Sequence, residues 1–284
     1  MVRHRALPSG WYPATADDIR AQCERWERDA PPVPTDCAAA VVPHAGWAFS
    51  GRIAYLALRG LREDADTVVI AGGHLRPDDR VRIAPEDAYE TPLGALEADG
   101  DLARQLRERL SCADDTTPDN TVEVQLPLVA ALLPRAHVLY LRCPPSDLAQ
   151  TAGTTIAEYA ARTGRTICVV GSTDLTHYGP AYGFTPVGVG SEAVEWVRTV
   201  NDHAIITAMA SLDAGRTIEL GNEQSAACSS GAAAAAIAFA RAQGATHATV
   251  VAYGQSYDVR PDTSFVGYVG ICYSSSQRSS AAQT

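Results

Sequence analysis

Six short runs of the chain are almost wholly apolar and rich in β-branched residues: 38–42, 67–71, 137–141, 166–171, 248–253 and 265–273. A strand with apolar side chains on both faces has to be covered on both faces. Helical patterns lie between these runs, at 15–28, 49–61, 101–110, 122–133, 147–162, 192–210 and 227–242. The alternation predicts an α/β fold, a single-domain sandwich in which helices flank a central, mostly parallel or mixed sheet. The domain is expected over residues 1–273. Ser146 or Asp147 stands where a helix cap belongs, and Gly164 where that helix closes. The final stretch, 274–284, reads SSSQRSSAAQT and is expected to be a disordered tail.

Composition removes several classes of function. The 284 residues carry a net charge of −10 with no basic stripe, so nucleic acid is not an expected partner. No apolar run reaches membrane-spanning length, and the opening MVRHRALPSGWYP lacks the apolar core of a secretory signal. The expectation is a cytoplasmic protein with a small-molecule substrate, no membrane partner and room for a homo-oligomer. Seven cysteines are scattered without a C-x-x-C pair, which argues against a disulfide framework or a zinc knuckle. The chain contains no lysine, which excludes Schiff-base chemistry, pyridoxal phosphate and a Walker A phosphate loop.

The chemistry-bearing residues gather where strands end. VVPHAG places His44 just past one strand, and VVIAGGH places His74 just past the next. Ligands in open α/β sheets bind at the carboxyl ends of strands. Two imidazoles delivered there suit metal ligation, although either alone also fits a strand cap. A third strand runs into Ser172-Thr173-Asp174-Leu175-Thr176-His177, where a helical turn would set Asp174 and His177 on one face. That pair suits acid–base work or the orienting of a ligand; the alternative is a helix cap by Asp174 with His177 on the surface. Cys228 opens the alanine-rich run, where a helix N-terminus stabilises a thiolate, both a nucleophile and a soft metal ligand. Its alternative is a small buried hydrophobe. Glu123 and Gln125, polar residues in an apolar helix, read as partners for backbone donors. Gln255, Ser256 and Tyr257 fall in a loop that could line the same pocket.

Taken in order, Trp11-Tyr12-Pro13, PHAGWAFSG, GGH, TPLG, VEVQLP, STDLTHYG, a cysteine at a helix start and GQS…VGY resemble the Memo family. This is the Memo-like protein of the AmmeMemoRadiSam group, and the resemblance runs from about Trp11 to Tyr268. It implies the fold of class III extradiol dioxygenases of the LigB type, non-haem iron enzymes that open catechol rings. It also implies a metal pocket of two histidines and a cysteine, carried onto His44, His74 and Cys228, with Asp174 and His177 beside them. Fe(II) is the implied metal, with copper as the alternative because a thiolate suits copper(I). The chain departs from the family pattern at Asn120, where a histidine is usual, and at Ser229-Ser230, where glycine and arginine usually follow the cysteine.

The expected activity is therefore that of a metal-dependent oxidoreductase, dioxygenase-like, using O2 on a small catecholic or amino-acid-derived substrate. His177, oriented by Asp174, would move protons. The competing expectations are a non-enzymatic metal- or partner-binding protein, such as an adaptor or metal handler, and, more weakly, a cysteine hydrolase using Cys228 with His177.

Overall fold

The computed structural model describes residues 1–275. In chain order its strands are β1 (Val2–Arg3), β2 (Ala39–Val42), β3 (Thr67–Gly72), β4 (Val81–Ile83), β5 (Ala88–Thr91), β6 (Gly94–Glu97), β7 (Cys112–Asp114), β8 (His137–Arg142), β9 (Ile167–Ser172), β10 (His177–Tyr178), β11 (His247–Gln255) and β12 (Phe265–Ser274). All six apolar runs are strands, shifted by a residue or two at their ends. The main sheet has the order β10-β12-β2-β9-β3-β8-β4-β7, with β11 paired to β12. Its centre, β2-β9-β3-β8, is parallel, while β12 joins β2, and β4 joins β8, antiparallel. A small second sheet, β1-β5-β6, packs against its flank.

The two-residue side-chain period explains why these strands read as continuous apolar runs. Ala39, Val41, Val69, Ala71 and Val169 point into one core with the helices Asp147–Thr163 and Ser230–Ala242. Ala40, Val42, Val68, Ile70 and Val170 point into the other, with Ala16–Arg28, Arg52–Leu58 and Leu126–Leu132. The alanine-rich helix lies unusually close to the sheet because both sides are small. A Cβ on Gly171 would stand 2.6 Å from the Ala232 carbonyl oxygen. This close seating carries the start of that helix to the C-terminal ends of β2, β3 and β9.

Several boundaries differ from the sequence expectation for local reasons. The segment expected as one helix at 122–133 is two short ones, Asn120–Glu123 and Leu126–Leu132, with Pro127 at the start of the second. The helices expected at 49–61 and 192–210 each contain a π-helical turn, at Trp47–Gly51 and Val197–Asn201. The helix Ala214–Gln224, amphipathic and capped by Asp213, is absent from the sequence expectation, as are the short strands, which at two to four residues show no period. Gly164 closes its helix with φ +70°, and Ser146 caps its start by position alone, without a side-chain hydrogen bond. β12 runs through Ser274, one residue into the expected tail, and 276–284 lie outside the described residues. Among the described residues no helix is long and apolar enough to cross a membrane, and the seven cysteines form no disulfide.

Candidate metal centre

After β9 the chain does not turn into a helix. Residues 173–176 are extended and cross the end of β2, where the Thr173 amide donates to the Val42 carbonyl, before β10 pairs with β12. Asp174 and His177 therefore share no helical turn, and Asp174 caps no helix. The crossing buries Asp174 directly over the end of β2, where its Oδ1 accepts from the His44 amide at 2.7 Å and its Oδ2 lies 3.8 Å from His44 Nε2. Asp202, itself buried, braces this crossing by accepting from the Thr176 amide at 3.1 Å and its hydroxyl at 2.5 Å.

His44 is 1% exposed. Its Nδ1 faces Ser172 Oγ at 3.4 Å, and its Nε2 faces Cys228 Sγ at 3.2 Å. Gln125 fixes this corner: its Nε2 donates to the Pro43 carbonyl at 2.7 Å and to Ser172 Oγ at 3.1 Å. With the Ser172 hydroxyl oxygen beside Nδ1, Nε2 is the nitrogen left to ligate. Asn120, in place of the family's usual histidine, donates its amide to the His44 carbonyl at 3.2 Å.

His74 is held differently. Its backbone is left-handed, φ +56°, which strains a non-glycine residue. Gly73 before it must be glycine, because a Cβ there would strike Ser229, 2.9 Å from that residue's Cα. The His74 side chain is 36% exposed, and its Nδ1 lies 3.2 Å from Asp119 Oδ2. Its ring meets that of His44 edge-on, with centroids 5.1 Å apart.

Cys228 stands just ahead of the helix Ser230–Ala242, which begins later than the expected residue 227. The Cys228 amide donates to the Asp174 carbonyl at 3.2 Å, and the Ser229 amide to Thr173 Oγ1 at 3.1 Å, so the cysteine is pinned to the crossing segment. Ligand atoms from His44, His74 and Cys228 all fall within 4.8 Å of one another, the one such cluster among the described residues.

The electrostatics are those of a coupled cluster. Burial opposes a Cys228 thiolate, but His44 and His74 outweigh it and hold the thiol well below its ordinary value. Burial likewise pulls His44 down, and Asp174 and Cys228 raise it to about 9. His74, opposed by burial, is raised to about 10 by Asp119 and Cys228. Burial pushes the Asp174 carboxyl up, with His44 opposing. Two imidazoles that hold their protons beside a thiolate that has given up its own are a donor set for a borderline or soft cation, which displaces those protons from the ring nitrogens.

His44, His74 and Asp174 line a cleft of about 640 Å³, walled by Trp11, Phe49, Tyr182 and Tyr268, and Cys228 stands against it through His44. His177 and Ser256 line it, whereas Gln255 is turned inward. The partner of His177 Nδ1 is the Leu175 carbonyl at 3.2 Å, and its ring packs edge-on against Tyr182. Asp174 thus contacts His44 and does not orient His177 as expected. The imidazole nitrogen at 3.2 Å from Cys228 Sγ is that of His44, whereas His177 Nδ1 meets the Leu175 carbonyl, so Cys228 and His177 do not form the hydrogen-bonded pair of a hydrolase. Glu123 pins the cleft's N-terminal wall, accepting from the amides of Ala6 and Leu7 and from the Tyr12 hydroxyl. A depression of similar volume at the opposite end of the sheet, lined by Asp66, Arg135 and Arg165 among others, contains no such ligand cluster.

Sequence reasoning missed Asp119 and Arg142. The available signal was positional: Arg142 closes an apolar strand, and in the sheet it pairs with Gly72, two residues before His74.

A family model described as Memo-like protein matches residues 3–272. MEMO1 family protein TK1477 of Thermococcus kodakarensis is 30% identical, covering 96% of this chain and 99% of its own. MEMO1 family protein MK0963 of Methanopyrus kandleri is also 30% identical, with the same coverage, 96% and 99%. Among solved structures, the chain is similar to the crystal structure of uncharacterized protein JW3007 from Escherichia coli K12. The TM-score is 0.51 at 11% identity, over 83% of this chain and 99% of that one, a likeness of fold alone.

Proposed function

The chain belongs to the Memo-like family, and on that premise we propose that it is a metal-dependent oxidoreductase whose single cation is held by His44, His74 and Cys228. The observation that carries this reading is the convergence of those three donors, two of which, His44 and His74, line an open cleft. Fe(II) is the proposed metal, in keeping with the resemblance to LigB-type enzymes. When bound, it would supply Lewis acidity and an electron path between a small substrate and O2.

The chain's own residues divide the remaining work. Ser172 and Asp119 occupy the Nδ1 atoms of His44 and His74, which leaves both Nε2 atoms for ligation. Trp11, Phe49, Tyr182 and Tyr268 offer apolar walls that exclude water from one side of a flat substrate. His177 lies in the same cleft with Nδ1 taken up by the Leu175 carbonyl, so Nε2 is the atom that exchanges protons with substrate. Asp174, buried against His44, fixes that ligand rather than acting as a base.

The thiolate in the donor set favours a second reading, in which the protein holds a soft cation such as copper(I) without turnover. The two readings part on one assay. Iron-loaded protein, prepared without air, is mixed with oxygen and catecholic or amino-acid-derived compounds. The first reading expects oxygen uptake that disappears in His44→Ala. Tight copper binding without oxygen uptake on any compound supports the second. A protein that takes up neither metal contradicts both.

A further inference from the structure

Arg142 is 5% exposed and lies in no part of the donor cluster, yet it makes five hydrogen bonds. Nε and Nη2 grip Asp115 from both oxygens, at 2.7 and 2.8 Å, and Nη2 also donates to Thr117 Oγ1 at 3.0 Å. The remaining nitrogen, Nη1, points the other way. It donates to Asp119 Oδ2 at 3.0 Å and to the Gly73 carbonyl at 3.4 Å. Asp119 Oδ2 is the atom that faces His74 Nδ1.

We propose that Arg142 is a positioning residue for His74, acting on its ring through Asp119 and on its backbone through the Gly73 carbonyl. The inference rests on the assignment of His74 as a metal ligand. The physical need is plain at this position and absent at His44. His74 is about a third exposed and strained, so packing does not fix its ring. Directed, charge-assisted hydrogen bonds do so instead. Gly73 is tied at both polar backbone atoms, its amide to Thr121 Oγ1 at 3.2 Å and its carbonyl to Arg142. Thr121 in turn donates its amide at 2.9 Å and its hydroxyl to Asp119 Oδ1, so both carboxylate oxygens are occupied. Asp115 anchors the far side of the guanidinium, so the carboxylate of Asp119 meets a fixed partner. Only a planar fork with separated donors serves both carboxylates at once, which a lysine ammonium does not.

The test measures affinity for Co(II), a spectroscopically visible cation, by competition with a chelator, together with the visible spectrum of the Co(II) form and the thermal midpoint of metal-free protein. The proteins are wild type, Arg142→Lys, Arg142→Met, Asp119→Asn, His74→Ala and Arg165→Met. Arg165 is the control: its ion pair with the buried Asp99, at 2.9 Å, belongs to the opposite end of the sheet. The expected result is a loss of about ten- to a hundredfold in affinity in both Arg142 variants and Asp119→Asn, with a shifted Co(II) spectrum. Arg165→Met is expected to lower the thermal midpoint while leaving affinity and spectrum unchanged. If wild type binds Co(II) and His74→Ala does not, but Arg142→Lys and Asp119→Asn bind with the wild-type affinity and spectrum, the positioning role is overturned. If wild type itself binds no Co(II), or His74→Ala binds as wild type does, the ligand assignment beneath it fails instead. Should Arg142→Met not fold, Arg142→Lys and Asp119→Asn decide the question.

Discussion

His44 and His74 sit past the ends of β2 and β3, the two strands that flank β9, and each offers a ring nitrogen to the same cluster. Their surroundings have little else in common. His44 is enclosed: the crossing segment 173–176 passes over it, Asp174 holds its amide, and neutral Ser172 and Gln125 complete the corner. His74 is a third exposed on a strained backbone and depends on the charged pair Asp119–Arg142. Burial removes the freedom of one ring, and directed ionic hydrogen bonds remove that of the other. Two physical routes reach one geometry, and they fail under different perturbations.

The largest expected effect tests whether the two halves make one site. Cys228→Ala and His44→Ala are each expected to abolish metal binding measured by equilibrium dialysis; retention of stoichiometric metal in either would separate the halves.

The metal-free proteins sharpen the contrast. His44→Ala leaves a cavity and takes the imidazole away from Ser172 and the Asp174 carboxylate, while the backbone amide still donates to Asp174, at a cost of about 2–4 kcal/mol in urea unfolding. His74→Ala loses an exposed, screened contact and is expected to cost about 1 kcal/mol or less. Equal costs would break the division between a packed and a tethered ligand.

A packing change away from the cluster should reach only the enclosed half. Gly171→Ala drives a methyl into the Ala232 carbonyl and lifts the helix that follows Cys228. The expected cost is about 1–3 kcal/mol in denaturant unfolding, accompanied by weaker Co(II) binding. Unchanged affinity at reduced stability would show that the helix start moves independently of Cys228.

The smallest effect concerns pH. Burial pushes the Asp202 carboxyl up to about 6, against the hydrogen bonds from Thr176 and Tyr253. The unfolded carboxyl ionises first, so this group's stabilisation is fullest below about pH 4 and is lost as pH rises through 6. Asp202→Asn removes that dependence. Its unfolding midpoint is expected to gain on wild type between about pH 4 and pH 7, and a constant difference would contradict the assignment.

The parts of this arrangement that could be read from the sequence share one property: they are periodic or terminal. The apolar runs showed a sheet covered on both faces, and His44, His74 and Cys228 stood where such runs or an alanine-rich helix begin or end. What could not be read depends on long-range pairing. Residues 173–176 look like a helix start locally, and only the pairing of β10 with β12 draws them straight across the end of β2. That crossing gives Asp174 to His44 and leaves His177 with the Leu175 carbonyl. Arg142 and Asp119 were equally hidden, because they lie 23 positions apart and meet only through the sheet register beside Gly72. Glu123 was read correctly as a partner for backbone donors, although those donors belong to the distant N-terminal segment.

The central claim is that one cation is held jointly by two imidazoles and the Cys228 thiolate. X-ray absorption at the metal edge of iron-loaded protein tests it most directly. The predicted result is one sulfur and a set of nitrogen or oxygen neighbours per iron, with the sulfur contribution gone in Cys228→Ser and the iron itself gone in His44→Ala. Iron bound at full stoichiometry with no sulfur neighbour, or a sulfur contribution that survives Cys228→Ser, would contradict it.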